Sequence, residues 1–373
     1  MDNIKLTPED INLGEPIAWN CFDQDGILLL RSGQIIESAK QLETLMKRGL
    51  FHHEKPDCIP LPKPIVSTVD LLNEIQQELN KLFIRIAGGT EEKFHHNVLR
   101  MCEKIQQACQ QDADATIGNI FLNKEYKYII RHPVNVAVVC EIVSENLKWT
   151  KQERLPLLAA ALTMNIGMLK TQEILYYQKG KLTDEQKQAI IKHPERGVDI
   201  LSQSGVVDTV WLKGVAHHHE AMNGGGYPIG IKGNLIPLCA KIISVGDHYC
   251  AGVSSRAYRR SLTSQESMKD VYLSAGQKTD PDIVNLCVRS LGVYPPGTIV
   301  KLANDEIAVV THRGEKAHTP IVQCVFKSNK ESMFLNPIER DCSKDEFAIR
   351  EIIGDEQEKM KFDLHLLWGD SKH

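Results

Sequence analysis

The stretch His217-His218-His219-Glu220-Ala221-Met222-Asn223-Gly224-Gly225-Gly226-Tyr227-Pro228 imposes the hardest local constraint on the fold. Neighbouring side chains on a helix diverge by about 100°, so adjacent histidines reach one centre only where regular helix is ending. The run Gly224-Gly225-Gly226 supplies that ending. Imidazoles are common ligands for Zn, Cu, Fe and Ni. A polar helix end reads the same way, so the choice between the two depends on partners elsewhere in the chain.

The chain has 373 residues, enough for two or three domains and a sizeable core. Its 44 Lys and Arg against 48 Asp and Glu give a net charge of -4. That balance offers no basic field for a nucleic-acid duplex, so an anionic ligand must be held locally. The 10 cysteines contain no CxxC pair, which argues against a zinc ribbon or a disulfide framework and for free thiols in a reducing cytoplasm. The start lacks an apolar signal core, and the longest apolar run, near Leu155 to Met164, is too short to span a bilayer. These features predict a soluble cytoplasmic protein with no membrane partner.

Near the N-terminus, Asp25-Gly26 between the apolar runs around Cys21 and Ile27 to Leu30 predicts a β-hairpin. A helix from about Ser38 to Arg48 follows, with Ser38 as N-cap and Leu42, Leu45 and Met46 on one face. Pro56, Pro60, Pro62 and Pro64 mark a semi-rigid linker. Residues 1–60 thus read as a small α+β module, and residues 61–124 as a linker with packing helices broken at Gly88-Gly89.

The segment from Glu125 to Asn146 is helical, with Pro133 placed at the first helical position and His132 at the N-terminal end. Leu155 to Lys170 reads as a buried helix ending at Ile166-Gly167-Met168. Thr183 and Gln186 form a capping box for a helix that His193-Pro194 closes. Asp247 lies within the otherwise apolar Ala240 to Val245 run, where an acid must be paired or bound to metal. Beyond Tyr294-Pro295-Pro296, Ile299 to Leu302, Ile307 to Val310 and Ile321 to Phe326 read as strands, and the apolar Leu366-Leu367-Trp368 tail has no assignable dock.

The ordered set His132, Ile166-Gly167, Leu182-Thr183, His193-Pro194, His218-His219-Glu220, Gly226-Tyr227-Pro228 and Asp247 with Arg256-Ala257-Tyr258-Arg259 resembles the HD-GYP family. The resemblance covers residues 125–275 and implies a mainly α protein. An all-α HD-type core would lie between the α+β module and a β-rich appendage over residues 276–373. It implies a bacterial cyclic di-GMP phosphodiesterase fold, metal ligands at His132, His193, His218, His219 and Asp247, and phosphate contacts from Arg256 and Arg259. It also implies that Gly226, Tyr227 and Pro228 form a loop that binds ligand or meets a GGDEF-type protein. The chain departs from the family at three positions. Met164 stands for a histidine ligand, Asn165 for the metal-bridging aspartate, and Met168 for a substrate-contacting lysine. Cys250 and Tyr128 stand where some members carry acids.

Two divalent cations about 4 Å apart repel by roughly 17 kcal/mol at an effective dielectric near 20, so a two-metal site needs a shared anion. Asn165 offers a neutral amide and Met164 a soft thioether poorly matched to Fe or Mn. The remaining ligands predict at most about one divalent transition metal, with Fe, Mn and Zn all open. Two function classes follow. One is a cyclic di-GMP signalling protein of weak or absent hydrolysis that binds ligand or partner. The other is an active single-metal phosphodiesterase in which Asp247 serves catalysis.

Overall fold

The protein, analysed as a computed structural model, is described over residues 3–17, 19–25, 27–31, 33–36, 38–49, 51–53, 66–89, 93–255, 260–327, 333–354, 360 and 362–368. It divides into two compact units, residues 1–66 and 67–373.

In the first unit, β1 (Asn3–Lys5), β2 (Cys21–Phe22), β3 (Leu28–Leu30) and β4 (Phe51–His53) form an antiparallel sheet in the order β1-β4-β2-β3. Asp23 closes the expected hairpin by accepting the backbone N–H groups of Asp25 and Ile27. Between β3 and β4, α1 (Ala39–Lys47) is capped by Ser38, whose hydroxyl accepts the Gln41 N–H. Its Leu42, Leu45 and Met46 pack on Ile17, Cys21 and Ile36, as the helical spacing predicts. Gly26 and the proline-rich segment from Pro56 to Pro64 lie outside the described residues.

The second unit is mainly α. In chain order it contains α2 (Thr68–Ala87), α3 (Phe94–Gln111), α4 (Ala113–Leu122), α5 (Tyr128–Asn146), α6 (Lys151–Thr163), α7 (Leu169–Tyr177), α8 (Asp184–Gln203), α9 (Thr209–His217), α10 (Leu238–Gly252), α11 (Ser264–Leu273) and α12 (Pro281–Leu291). Buried along most of its length, α5 is the axis on which α6, α10 and α12 pack. Small residues set the closest approaches. A Cβ on Gly214 of α9 would fall 2.7 Å from Ala160 Cβ of α6, and Trp211 donates its indole N–H to Thr163 Oγ1 at 2.8 Å across the same contact.

Three helix limits differ from the sequence reading. Pro133 and Pro194 are interior to α5 and α8 rather than at a helix start and end. A proline removes only its own N–H, and burial against neighbouring helices outweighs that loss here. The helix expected through Lys170 instead stops at Thr163, and a 3-10 turn, Ile166–Met168, leads into α7.

Strands β5 (Ile299–Leu302), β6 (Ile307–His312), β7 (Ile321–Phe326), β8 (Met333–Asp341) and β9 (Ile349–Ile352) form a second antiparallel sheet in the order β8-β7-β6-β5-β9. The apolar tail forms α13 (Leu364–Trp368) and docks on this sheet and on α4. Trp368 donates to the Thr311 carbonyl at 3.0 Å and occupies the space over Gly118. No helix among the described residues is long and apolar enough to cross a membrane.

Candidate metal centre and its cavity

Four helices converge on one cavity of about 660 Å³. His132 of α5, His219 after α9, Asp247 of α10 and Asn165 and Met168 beside the 3-10 turn line it, with Tyr227 from the glycine-rich loop. Gly167 lets the 3-10 turn lie on α8, because a Cβ there would fall 2.2 Å from the His193 carbonyl oxygen and 2.8 Å from Gly197 N. Asn165 and His193 are thereby brought to the same end of the core.

His193, His218 and His219 place one nitrogen each within 4.8 Å of one another. Their orientation follows from backbone chemistry. Pro194 has no N–H to give the Ile190 carbonyl, and His193 Nδ1 takes that carbonyl at 2.6 Å. At the end of α9, His218 Nδ1 reaches the Val215 carbonyl at 2.8 Å. Each is an i to i−3 contact in which Nδ1–H donates, so each Nε2 presents a lone pair. Those two Nε2 atoms face each other at 3.2 Å. Two lone pairs at that distance repel unless a cation or a proton lies between them. Burial, reinforced by His218, pushes the His193 imidazole down to about 3, and burial likewise lowers His218 and, more strongly, His219. Protonation is therefore disfavoured, and the donor set fits a cation.

Asp247 adds negative charge to the same place. Its Oδ1 lies 2.8 Å from His132 Nε2. Burial is the largest influence on Asp247 and opposes its ionisation, yet the hydrogen bond from His132 and the electrostatic attraction of His132, His219 and His218 together outweigh it and hold the carboxyl well below the usual range. His132 Nδ1 and Asn165 Oδ1 are buried without a hydrogen-bond partner. Such orphans are uncommon in proteins and cost about 1–3 kcal/mol each unless a ligand, ion or water meets them.

The substituted positions do not behave alike. Met164 is fully buried in the hydrophobic core and is not among the cavity-lining residues, whereas Asn165 and Met168 line the cavity. Tyr128 stacks on His132 at 4.7 Å, covering one side of the imidazole with an aromatic ring. Cys250 is also fully buried, its thiol pushed up by burial and by Asp247. Arg256 and Arg259 lie outside the described residues.

The glycine-rich loop is fixed by its own backbone. Tyr227 N donates to the His219 carbonyl at 3.1 Å and its ring stacks on His219 at 4.7 Å. A Cβ on Gly226 would lie 2.4 Å from Ala221 N, so glycine alone fits. Pro228 follows through a cis peptide bond. Glu220, buried, accepts N–H bonds from Ile229 at 2.9 Å and Gly230 at 3.0 Å, which folds the loop back on the histidines. Sequence reasoning counted Glu220 within a motif but did not find this loop-holding role. It also missed Gln172 and Tyr176 of α7, which line the cavity. The spacing of Met168, Gln172 and Tyr176 at i, i+4 and i+8 carried that information.

Residues 119–283 match the HD domain family, whose members are metal-dependent. The chain is 26% identical over 229 residues to a cyclic di-GMP phosphodiesterase of Pseudomonas aeruginosa, covering 61% of this chain and 55% of that protein. It is 30% identical over 153 residues to a cyclic di-GMP phosphodiesterase response regulator of Xanthomonas campestris, covering 40% of each. A 3'3'-cGAMP-specific phosphodiesterase of Vibrio cholerae is 25% identical over 236 residues, with 60% of this chain and 53% of that protein covered. The chain thus spans about half the length, or less, of these curated relatives. The histidine set and the intact Gly226-Tyr227-Pro228 loop lie together within the region that matches the HD domain, and this region resembles the HD-GYP family.

Proposed function

We propose that this protein is a cyclic di-GMP signalling protein that binds the dinucleotide at a reduced metal site and hydrolyses it weakly or not at all. The observation that carries this reading is the opposed pair of Nε2 lone pairs on His193 and His218, 3.2 Å apart beside an ionised Asp247. His193, His218 and His219 would hold about one divalent ion, since three histidines suffice for a site with an open position. Such an ion supplies Lewis acidity toward a phosphoryl oxygen.

The chain's own residues account for the weak chemistry. Asn165 puts a neutral amide where a second cation would need a shared anion. Met164 is withdrawn into the core, and Met168 brings no charge to the cavity wall. Asp247, oriented by His132, is the carboxylate left to position a substrate or accept a proton. The exposed Ile229 beside Tyr227 and Pro228 supports a second contact through this loop, with a GGDEF-type protein.

Labelled cyclic di-GMP titrated into the Mn-loaded protein should bind saturably, with linear product forming no faster than in Asp247→Asn. Rapid turnover lost in that variant would instead make the chain an active single-metal phosphodiesterase. Failure of the dinucleotide to bind would refute the ligand assignment.

A further inference from the structure

His132 differs from its neighbours at this centre in how its ring is held. His193 and His218 each bond a carbonyl three residues earlier through Nδ1, and that bond orients them. His132 Nδ1 is buried with no hydrogen-bond partner. Its Nε2 lies 2.8 Å from Asp247 Oδ1, and an ionised carboxylate only accepts, so Nε2–H donates. The χ2 torsion of histidine is broad and roughly two-fold. One bond at the tip of the ring therefore leaves the plane of the imidazole to be set by packing.

A ladder of aromatic rings supplies that packing. Tyr128, about one turn before His132 on α5, stacks on the imidazole at 4.7 Å and 20°. Tyr176 of α7 stacks in turn on Tyr128 at 4.9 Å and 16°. Arg131 Nη2 then donates to the Tyr176 hydroxyl at 3.3 Å. Arg131 is the least expected member of the set. It is 9% exposed, its Nε is buried without a partner, and no carboxylate pairs with it among the described residues. A buried cation of this kind lowers stability, and an apolar side chain of similar size is often neutral or stabilising in its place. Packing alone would favour methionine here, and the Tyr176 hydroxyl is the group that the guanidinium serves.

We propose that Tyr128, Tyr176 and Arg131 are positioning residues for His132. Arg131 fixes the Tyr176 hydroxyl, the two tyrosine rings fix the plane of the imidazole, and that plane sets Nε2–H on Asp247. In this way α7, which buries only Gln172, acts on Asp247 through a stack of rings. The consequence for metal rests on the single-ion reading above, in which Asp247 supplies the negative charge beside His193, His218 and His219. The positioning itself does not depend on that reading.

The His132 Nε2–H resonance of the metal-free full chain, recorded by nitrogen-edited NMR and identified by its loss in His132→Gln, reads this bond directly. It should be present in the parent and in Tyr128→Phe, which keeps the ring. In Tyr128→Leu, Tyr176→Leu and Arg131→Met it should be lost to solvent exchange. Arg131→Met should lose it without a fall in Tm, because the change removes an unpaired buried charge. A merely structural arginine would lower Tm and leave the resonance in place. Mn affinity, by competition with a chelator, should fall about tenfold in the same three variants, as it does when groups that orient metal ligands are removed. Absence of the resonance from the parent, or its retention in Tyr176→Leu and Arg131→Met, overturns the positioning role whether or not Tyr128→Leu folds. A parent that shows the resonance and takes up no Mn contradicts the single-ion reading and leaves the positioning role standing.

Discussion

Glu220 stands in sequence as the last member of a histidine motif and serves in the fold as a clamp. It follows His219 directly, but its carboxylate is spent on the N–H groups of Ile229 and Gly230. Removing it leaves two backbone donors without their charged acceptor, and hydrogen bonds to charged groups contribute about 1.5–3 kcal/mol. Glu220→Ala should therefore lower unfolding stability in urea by roughly 2 kcal/mol and expose the loop to protease, while metal content stays near that of the parent. Loss of metal with unchanged stability would instead make Glu220 a ligand. His132 is the opposite case. Its position near a helix start gives no sign of chemistry by itself; the ordered motif set singles it out, and the fold sets it against Asp247, 115 residues away in sequence.

At the scale of elements, the HP pair on α8 is a device that orients a histidine by damaging a helix. Pro194 forfeits one backbone bond, and His193 Nδ1 occupies the carbonyl so freed. Interior proline costs about 3 kcal/mol in a helix, and groups that orient metal-binding histidines are worth 10–100-fold in affinity. Pro194→Ala restores an N–H that competes for the Ile190 carbonyl. The expected outcome is a Tm no lower than the parent's together with metal affinity at least about tenfold weaker by competition with a chelator. Unchanged affinity would show that His193 needs no such partner.

This element also marks where sequence reading stops. Apolar periodicity found α2, α3, α5 and α10 because each buries a stripe, and cap chemistry at Ser38 and Thr183 fixed two helix starts. It missed α7, which faces a cavity and buries only Gln172, so no apolar stripe announces it. It misplaced the ends of α5 and α8 because a proline reads locally as a boundary, whereas tertiary burial decides whether the helix continues.

For the whole molecule, the central question is how many ions the core holds. The helices bring His193, His218 and His219 together around one point, a neutral Asn165 lines the same cavity, and Met164 is withdrawn into the core. The charge available, one ionised Asp247 with neutral imidazoles, suits a single divalent cation and not two. Elemental analysis of the purified protein beside His193→Ala tests this most directly. The parent should carry about one transition-metal ion per chain and the variant close to none, as a three-histidine site requires. A parent with about two ions per chain, or a variant that keeps its metal, would contradict the account.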